Sequence, residues 1–540
     1  MLAKSAYLKA ARASDIPTPG GRLLYRASEV LPGMLAWATI IGIFVASRYA
    51  PVFASFFVIA FDIYWLFKTV FLSLHLRAGY GMMQRHLEAD WMAKLYDLKT
   101  YNVELKTDYW HDIHHLIILP FYQEPYEVMR HGLEAIASQS YPKDRMMIVL
   151  GVEERAGEEA IAVAARLEQE FSSRLAKFIT AAHPADMPGE LPGKGSNETF
   201  AARKAVAGLI DAAGIPHERV IVSSFDSDTI VPPQYFAILT YHYLTAAKPL
   251  RSSYQPIPVY NNNIWETPAF SRVVAVSGTF WQTMQQARPE RLATFSSHSM
   301  PLKALVEMDY WPVNLVSEDS RIFWQALLFY DGDYRVVPLY YPVYMDANVA
   351  PTLWQTAKNV YKQQRRWGWG VENVPYLLFG FFKNPRIPLR RKLYFSFNQL
   401  DGFWSWATNA MIIFFLGWLP VLIGSSEFNT SLLAYNLPRI TRWIMTLSMF
   451  GLVTSAYIST RLLPPRPAGH PVRKYAWMVL QWALLPVTIM LLGSFPGLEA
   501  QTRLMLGRYM GFWFTPKYRQ KQAPVRPVSS PRIDNSLFSR

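Results

Sequence analysis

Five apolar segments, at residues 31–47, 52–76, 404–424, 440–460 and 475–492, approach the length of helix that crosses a bilayer's hydrocarbon core, about 20 residues. They lie toward the two ends of a 540-residue chain and leave a long mixed stretch, 77–385, between them. In lipid a backbone must satisfy its own hydrogen bonds, so each segment is expected to be helical. The first two, separated by Arg48-Tyr49-Ala50-Pro51, read as a hairpin with both ends on one side of the membrane. Asp62, inside the second, would be costly against lipid and is expected to face protein or water. Trp404, Trp406, Trp418, Trp443, Trp477 and Trp482 suit interfacial belts.

The remaining boundaries follow. Residues 1–29 form a basic segment, too broken by Pro17 and Pro19 for a simple secretory leader. Residues 30–76 are the hairpin, and 77–385 a soluble-looking unit. Residues 386–497 hold an interfacial helix at 386–400 and a transmembrane bundle, and 498–540 an amphipathic helix and a Pro-rich basic tail. The net charge of +14 comes with Lys4, Lys9, Arg12, Arg22 and Arg26 flanking apolar sequence. That placement favours anionic lipid over nucleic acid as partner, and no basic stripe with interleaved aromatics argues otherwise. The absence of cysteine excludes disulfides and thiolate metal sites. No solenoid-type repeat is present.

Within 77–385, apolar runs alternate with helical patterns. Strands are expected at 116–120, 146–152, 177–181 and 220–224, with helices after Pro125, at 158–171 and near 198–213. This alternation predicts an α/β unit with a mostly parallel sheet, whose ligands gather at the carboxyl ends of the strands.

Three motifs carry chemistry. Asp226-Ser227-Asp228 follows a strand, and carboxylates at i and i+2 can point the same way from an extended backbone. Hard oxygens of this kind suit Mg²⁺ or Mn²⁺ holding a diphosphate, although an ordinary acidic loop has the same pattern. Glu318-Asp319 opens a helix that Ser317 can cap. The pair either complements the helix dipole or supplies, in Asp319, a base for a hydroxyl proton. Gln363, Arg366 and Trp367 share one face of a helix starting near Thr352. Trp367 offers a plane for a sugar ring, Gln363 amide contacts and Arg366 a phosphate partner. A basic helix face at lipid headgroups is the other reading, and Arg365 is expected there. Together the motifs describe sugar transfer from a nucleotide donor at a membrane face. His111-Asp112-Ile113-His114-His115 and Asn261-Asn262-Asn263-Ile264-Trp265 also attract notice; a metal site is not expected at the first, and the second reads either as a contact for acceptor sugar or as a loop of turn-forming Asn, the latter slightly favoured.

In their order, these motifs resemble those of the processive, membrane-embedded family 2 glycosyltransferases, the cellulose, chitin and hyaluronan synthases. The resemblance extends over nearly the whole chain. Pro120-Phe121-Tyr122-Gln123-Glu124-Pro125 is similar to the family's first strand end, which implies donor contacts at Phe121, Tyr122 and Glu124. Gly193-Lys194-Gly195-Ser196-Asn197 resembles its diphosphate loop and implies such a role for Lys194, with Arg366 also on the donor side. Phe512-Trp513-Phe514-Thr515-Pro516-Lys517 is similar to its gating loop, which implies that Phe512, Phe514, Thr515 and Lys517 close over the donor. The family's acidic doublet after the second strand is missing; Glu153 stands there as the acid expected to contact the base.

The resemblance implies a GT-A-like cytosolic domain between the hairpin and the bundle, and the short extramembrane loops suit a bacterial inner membrane. It implies inverting, metal-dependent transfer from a UDP- or GDP-sugar to a growing polysaccharide, with Glu318 and Asp319 catalytic and Gln363 and Trp367 on the acceptor. Single transfer to a lipid carrier and a non-catalytic export scaffold are the alternatives, and an export partner is left open. If 512–517 gates the site, an even number of crossings must separate 386 from 512. Only three segments are clear there, while the basic loop 461–474 favours the cytosolic side.

Overall fold

A computed structural model describes residues 7–518 except 100, 108, 468–470 and 472. The extreme amino terminus, with Lys4, and the tail from 519 onward lie outside the described residues. The centre of the molecule is a seven-stranded sheet in the order β3-β2-β1-β4-β6-β5-β7. Its strands are β1 (His114–Phe121), β2 (Met146–Glu153), β3 (Lys177–His183), β4 (Val220–Ser224), β5 (Ser252–Tyr260), β6 (Ser299–Pro301) and β7 (Arg335–Met345). Only β6 runs antiparallel to its neighbours.

The apolar runs become strands because both faces of the sheet are covered. Along β1, Leu116 and Ile118 enter one core while Ile117 and Leu119 enter the other. In β2, Met147 and Val149 oppose Ile148 and Leu150 in the same way. Helices Tyr126–Ala137, Glu158–Phe171 and Lys194–Ala205 connect the first four strands, the last continuing as a π-helical turn to Asp211. The sheet is mostly parallel, as expected, but β5, β6 and β7 had no counterpart in the sequence reading.

Four helices are long and apolar enough to cross a membrane among the described residues: Pro19–Tyr49, Pro51–Glu88, Leu432–Arg461 and Arg473–Met505. A fifth candidate is the pair Leu389–Phe414 and Leu416–Ile423, bent by 46°. The expected separate interfacial helix at 386–400 is instead the first half of Leu389–Phe414. Phe395 stacks edge-on with Trp324 at 5.6 Å, which roots this helix in the sheet's core. Asp62 faces protein, as expected: it is buried and accepts from Thr441 Oγ1 at 2.8 Å.

Contacts fix how these helices run. A Cβ at Gly424 would lie 3.4 Å from Pro51, so the bent pair ends beside the turn of the amino-terminal hairpin. Leu432–Arg461 then returns along Pro51–Glu88, meeting Asp62 through Thr441, Thr69 at Gly451 and Leu76 at Ile458. Arg473–Met505 behaves differently. Met478 packs with Tyr260 and Trp265 at the sheet, and Gln481 accepts from the buried Arg272 guanidinium at 2.6 Å. At its other end, the carbonyl of Leu504 accepts from Arg26 at 2.9 Å, near the start of Pro19–Tyr49.

Candidate active site

The carboxyl ends of the parallel strands converge on one pocket of about 170 Å³. Its lining includes Phe121, Tyr122 and Glu124 after β1, Glu153 at the end of β2, and Lys194 and Asp226. Glu318, Asp319, Gln363, Arg366 and Trp367 complete one wall, and Phe512, Phe514, Thr515 and Lys517 another. Asp228 is the one residue of the expected set that does not line it. Asp226 to Thr229 close a turn, with Thr229 N donating to the Asp226 carbonyl at 3.0 Å. The backbone is therefore not extended there, and the two carboxylates take different partners, Lys194 and Ser296 for Asp226. Asp228 is fully buried behind the wall, where its Oδ2 accepts from Lys517 Nζ at 2.5 Å and Asp346 N at 2.9 Å.

Lys194 is the electrostatic hub. It begins helix Lys194–Ala205, and its ammonium lies 2.7 Å from Asp226 Oδ1, 2.8 Å from Asp319 Oδ1 and 3.5 Å from Glu198 Oε1. An ammonium this buried would be costly alone; three carboxylates compensate it. Burial opposes its charge, but Asp226, Asp319 and Glu198 override that and hold Lys194 well above the ordinary amine range. Burial would likewise raise Asp226, yet the Lys194 ammonium and the Ser296 hydroxyl, 2.6 Å from Oδ2, hold it below the usual carboxylate range. Glu318 goes the other way: burial first, then the charge of Asp319, keep it well above that range. Burial pushes Glu198 up to about 7, with Lys194 opposing.

Local sequence explains the fit. At Gly193 a Cβ would meet Phe512 Cγ at 2.8 Å, and at Gly195 it would meet the Pro312 carbonyl at 2.7 Å. The two glycines let Lys194 sit between the 512–517 segment and Glu318. Ser317 does not cap helix Glu318–Phe329, contrary to expectation; its hydroxyl donates to Glu372 Oε1 at 2.7 Å. Thr352 does cap helix Leu353–Gly368, accepting from Gln355 N at 3.2 Å. On that helix Trp367 stands 5.9 Å from the Tyr260 ring and 6.0 Å from that of Phe295. The Arg366 guanidinium lies over Phe512 at 5.1 Å. Arg365, expected at lipid headgroups, pairs with Glu499 at 2.7 Å.

The far end of the pocket is aromatic. The Tyr122 ring lies between Arg155, 4.7 Å from its centroid, and Phe514, 5.4 Å away edge-on. Glu153 pairs with Arg155. Glu124 folds back on its own turn, accepting from Tyr122 N at 2.8 Å, and Phe121 is packed into the core. Asp346, Ser296, Tyr260 and Phe295 were missed in the sequence; Tyr260 ends β5, Asp346 directly follows β7, and Phe295 and Ser296 lie in the stretch before β6, so each reaches the site only through long-range pairing. His115 is buried against Thr240 at 2.9 Å, and Asn263 exchanges two hydrogen bonds with Ala347.

Among the described residues no group of three or more His, Asp or Glu side chains is arranged to hold a metal ion. Asp226 and Asp228 nevertheless fit one on donor chemistry. Both offer hard oxygens, and buried Asp228 Oδ1 has no hydrogen-bond partner. Lys194 and Lys517 neutralise the other oxygens in this structure.

No protein-family model and no curated protein matches the chain. Among solved structures it is similar to mannosyltransferase PcManGT from Pyrobaculum calidifontis in complex with GDP-Man and Mn2+, at 16% identity and TM-score 0.38, over 75% of this chain and 99% of that one. It is also similar to S. aureus TarS 1-349 in complex with UDP-GlcNAc, at 13% identity and TM-score 0.32, over 66% of this chain and 98% of that one. At TM-scores this low the likenesses carry no weight for fold or function.

Proposed function

We propose that the protein is a membrane-embedded, inverting glycosyltransferase that moves a sugar from a UDP- or GDP-sugar to a growing polysaccharide. One observation carries this reading. Asp226, Asp319 and the Gln363-Arg366-Trp367 face, far apart in sequence, meet around Lys194 in a single pocket at the carboxyl ends of the strands. The sequence resemblance to processive family 2 enzymes assigns the roles. Residues 77–385 are the GT-A-like catalytic unit.

In this reading the nucleoside lies along Tyr122, with Glu153 and Glu124 at its edge, and the diphosphate meets Lys194 and Arg366. Trp367 stacks the acceptor sugar and Gln363 orients it. Asp319 takes the proton from the acceptor hydroxyl as that oxygen attacks the anomeric carbon and the diphosphate leaves from the opposite face, which inverts the centre. Burial and the charge of Asp319 favour the neutral form of Glu318, which adds no second negative charge at the attacking oxygen. Once Lys517 withdraws from Asp228, Asp226 and Asp228 would hold a Mg²⁺ or Mn²⁺ ion, which would neutralise charge on the departing diphosphate. The pocket's 170 Å³ falls below the roughly 300 Å³ at which small-molecule sites begin, so Phe512, Phe514, Thr515 and Lys517 must withdraw for a donor to enter. That is the behaviour of a gate.

The contact pattern supports a topology with an even crossing count. Pro19–Tyr49 and Pro51–Glu88 cross, the bent pair ending at Ile423 crosses, and Leu432–Arg461 returns. Arg473–Met505 begins and ends on the sheet's side, since Met478 and Leu504 both contact sheet-side elements. Residues 512–517 then reach the site without a further crossing. Donors of this kind are cytosolic, so the sheet faces the cytosol.

The test is nucleotide release by the purified chain and by Asp319→Asn. Release lowered by about 10²–10⁴-fold, with donor affinity by calorimetry unchanged, supports the base role. Undiminished release in Asp319→Asn contradicts it.

A further inference from the structure

A second cavity, of about 800 Å³, opens among the membrane-crossing helices, away from the pocket described above. Its walls come from Pro19–Tyr49 (Trp37, Ile40), from the kink of the bent pair (Met411, Phe415) and from the 490–508 stretch (Met490, Leu498). This volume lies in the range of true ligand sites. Phe414, Phe415, Phe495 and Leu506 remain exposed along its rim, so it opens sideways, toward the bilayer in the topology above.

The cavity has a polar end and an apolar end. Arg503, Arg508, Thr502 and Glu499 line one end, beside the first half of Pro19–Tyr49: the Tyr509 hydroxyl donates to Glu29 at 2.9 Å, and farther along that helix Trp37 Nε1 donates to Thr502 Oγ1 at 2.9 Å. Glu499 is already shared between Arg365 at 2.7 Å and Arg503 at 2.8 Å, so its charge is offset and the mouth is net basic. Arg508 is exposed there. The apolar end, at Met411 and Leu416, lies toward the hairpin turn, in what would be the hydrocarbon layer.

We infer that this cavity is a binding site for one anionic membrane lipid, its chains among Trp37, Met411, Phe415 and Met490 and its phosphate headgroup on Arg503 and Arg508. A basic rim at headgroup depth and a dry slot beneath it match an amphiphile with a negative head, and match neither a neutral lipid nor a soluble anion. The site goes beyond the transferase reading and needs only that the helices span a membrane. It also touches that machinery: through Glu499 the mouth is one ion pair from Arg365, on the helix that carries Gln363, Arg366 and Trp367.

The test uses the full chain in nanodiscs of phosphatidylcholine containing a trace of diazirine-bearing phosphatidylglycerol, or of the same probe with a choline head. Photolabelled peptides are mapped by mass spectrometry. The expected result is labelling concentrated at 411–416 and 490–498 by the glycerol probe, lowered about tenfold in R503Q/R508Q and in R508Q/M490W. The choline probe should label that region no more than the other exposed faces. Equal labelling by both probes, labelling of the cavity unchanged in the variants, or no labelling there at all (as when a protein helix fills it) would overturn the inference. Transferase activity enters none of these readouts, so failure here and failure of the proposed function are told apart.

Discussion

Lys194 makes the site's electrostatics a problem of one cation among three carboxylates. Replacing it by Met leaves Asp226, Asp319 and Glu198 facing each other with no ammonium between them. Breaking a buried pair from one side costs on the order of 3–5 kcal/mol. Lys194→Met should therefore unfold at a clearly lower denaturant midpoint than the parent, and an unchanged midpoint would remove Lys194 from its hub role. Glu198 gives a pH prediction. Its folded value, about 7, lies above the ordinary 4.5, so folding at this site favours the protonated form. That stability is fully present below about 4.5 and is lost as pH rises through about 7, up to about 3 kcal/mol in all. Glu198→Gln removes this term, so the variant's advantage over the parent should grow between pH 5 and pH 8. Chemical denaturation at both pH values measures it, and a constant difference would contradict the assignment. Neither Glu198 nor the turn that swings Asp228 out of the pocket was legible in the sequence. Both depend on what the fold packs around them, not on spacing.

At the scale of elements, the close approach of the 512–517 segment to helix Lys194–Ala205 depends on a missing side chain. A Cβ at Gly193 would press on Phe512 at 2.8 Å. Gly193→Ala should push Phe512 aside and lower kcat/KM by roughly tenfold to a hundredfold, since misplacement by an ångström can cost that much. Steady-state kinetics with a turning-over donor checks this, and an unaffected kcat/KM would show that the segment does not close over the site. Elements with a clear apolar period were readable: β1 to β4, helix Glu158–Phe171 and the face of Leu353–Gly368 that presents Gln363, Arg366 and Trp367. β5 and β7 were not. β5 reads SSYQPIPVY and β7 reads RVVPLYYPVYM, and their prolines look like strand breakers. In the fold these two strands pair with each other in parallel, with a register shift between Gln255 and Ile257. Ser253 of β5 is satisfied internally, sharing a hydrogen bond with the Tyr334 hydroxyl at 2.9 Å. Tyr260 and Asp346 reach the site from these strands, which is why they could not be read from sequence.

For the molecule as a whole, the sequence left three apolar segments after 386 and an even count to satisfy. Lengths and hydropathy cannot separate a helix that crosses from one that lies along the boundary; contacts at both of its ends can. The proposed topology places residues near 430 on the face opposite the sheet, and residues near 465 and 511 on the sheet's face. Because the chain has no cysteine, single substitutions report cleanly. In intact cells a membrane-impermeant maleimide should label Thr430→Cys, and should label Pro465→Cys and Gly511→Cys only after permeabilisation. Labelling of Gly511→Cys from outside would place an odd number of crossings before it and detach the 512–517 segment from a cytosolic site.

Product formation decides whether the protein is a processive transferase. The purified chain in nanodiscs is offered a panel of radiolabelled UDP- and GDP-sugars with Mg²⁺ or Mn²⁺, and the products are sized. The account predicts high-molecular-weight label from one donor, dependent on the divalent ion and absent in Asp319→Asn. A product carrying one sugar on a lipid would contradict processive synthesis, and the absence of both incorporation and nucleotide release with every donor would contradict the transferase assignment itself.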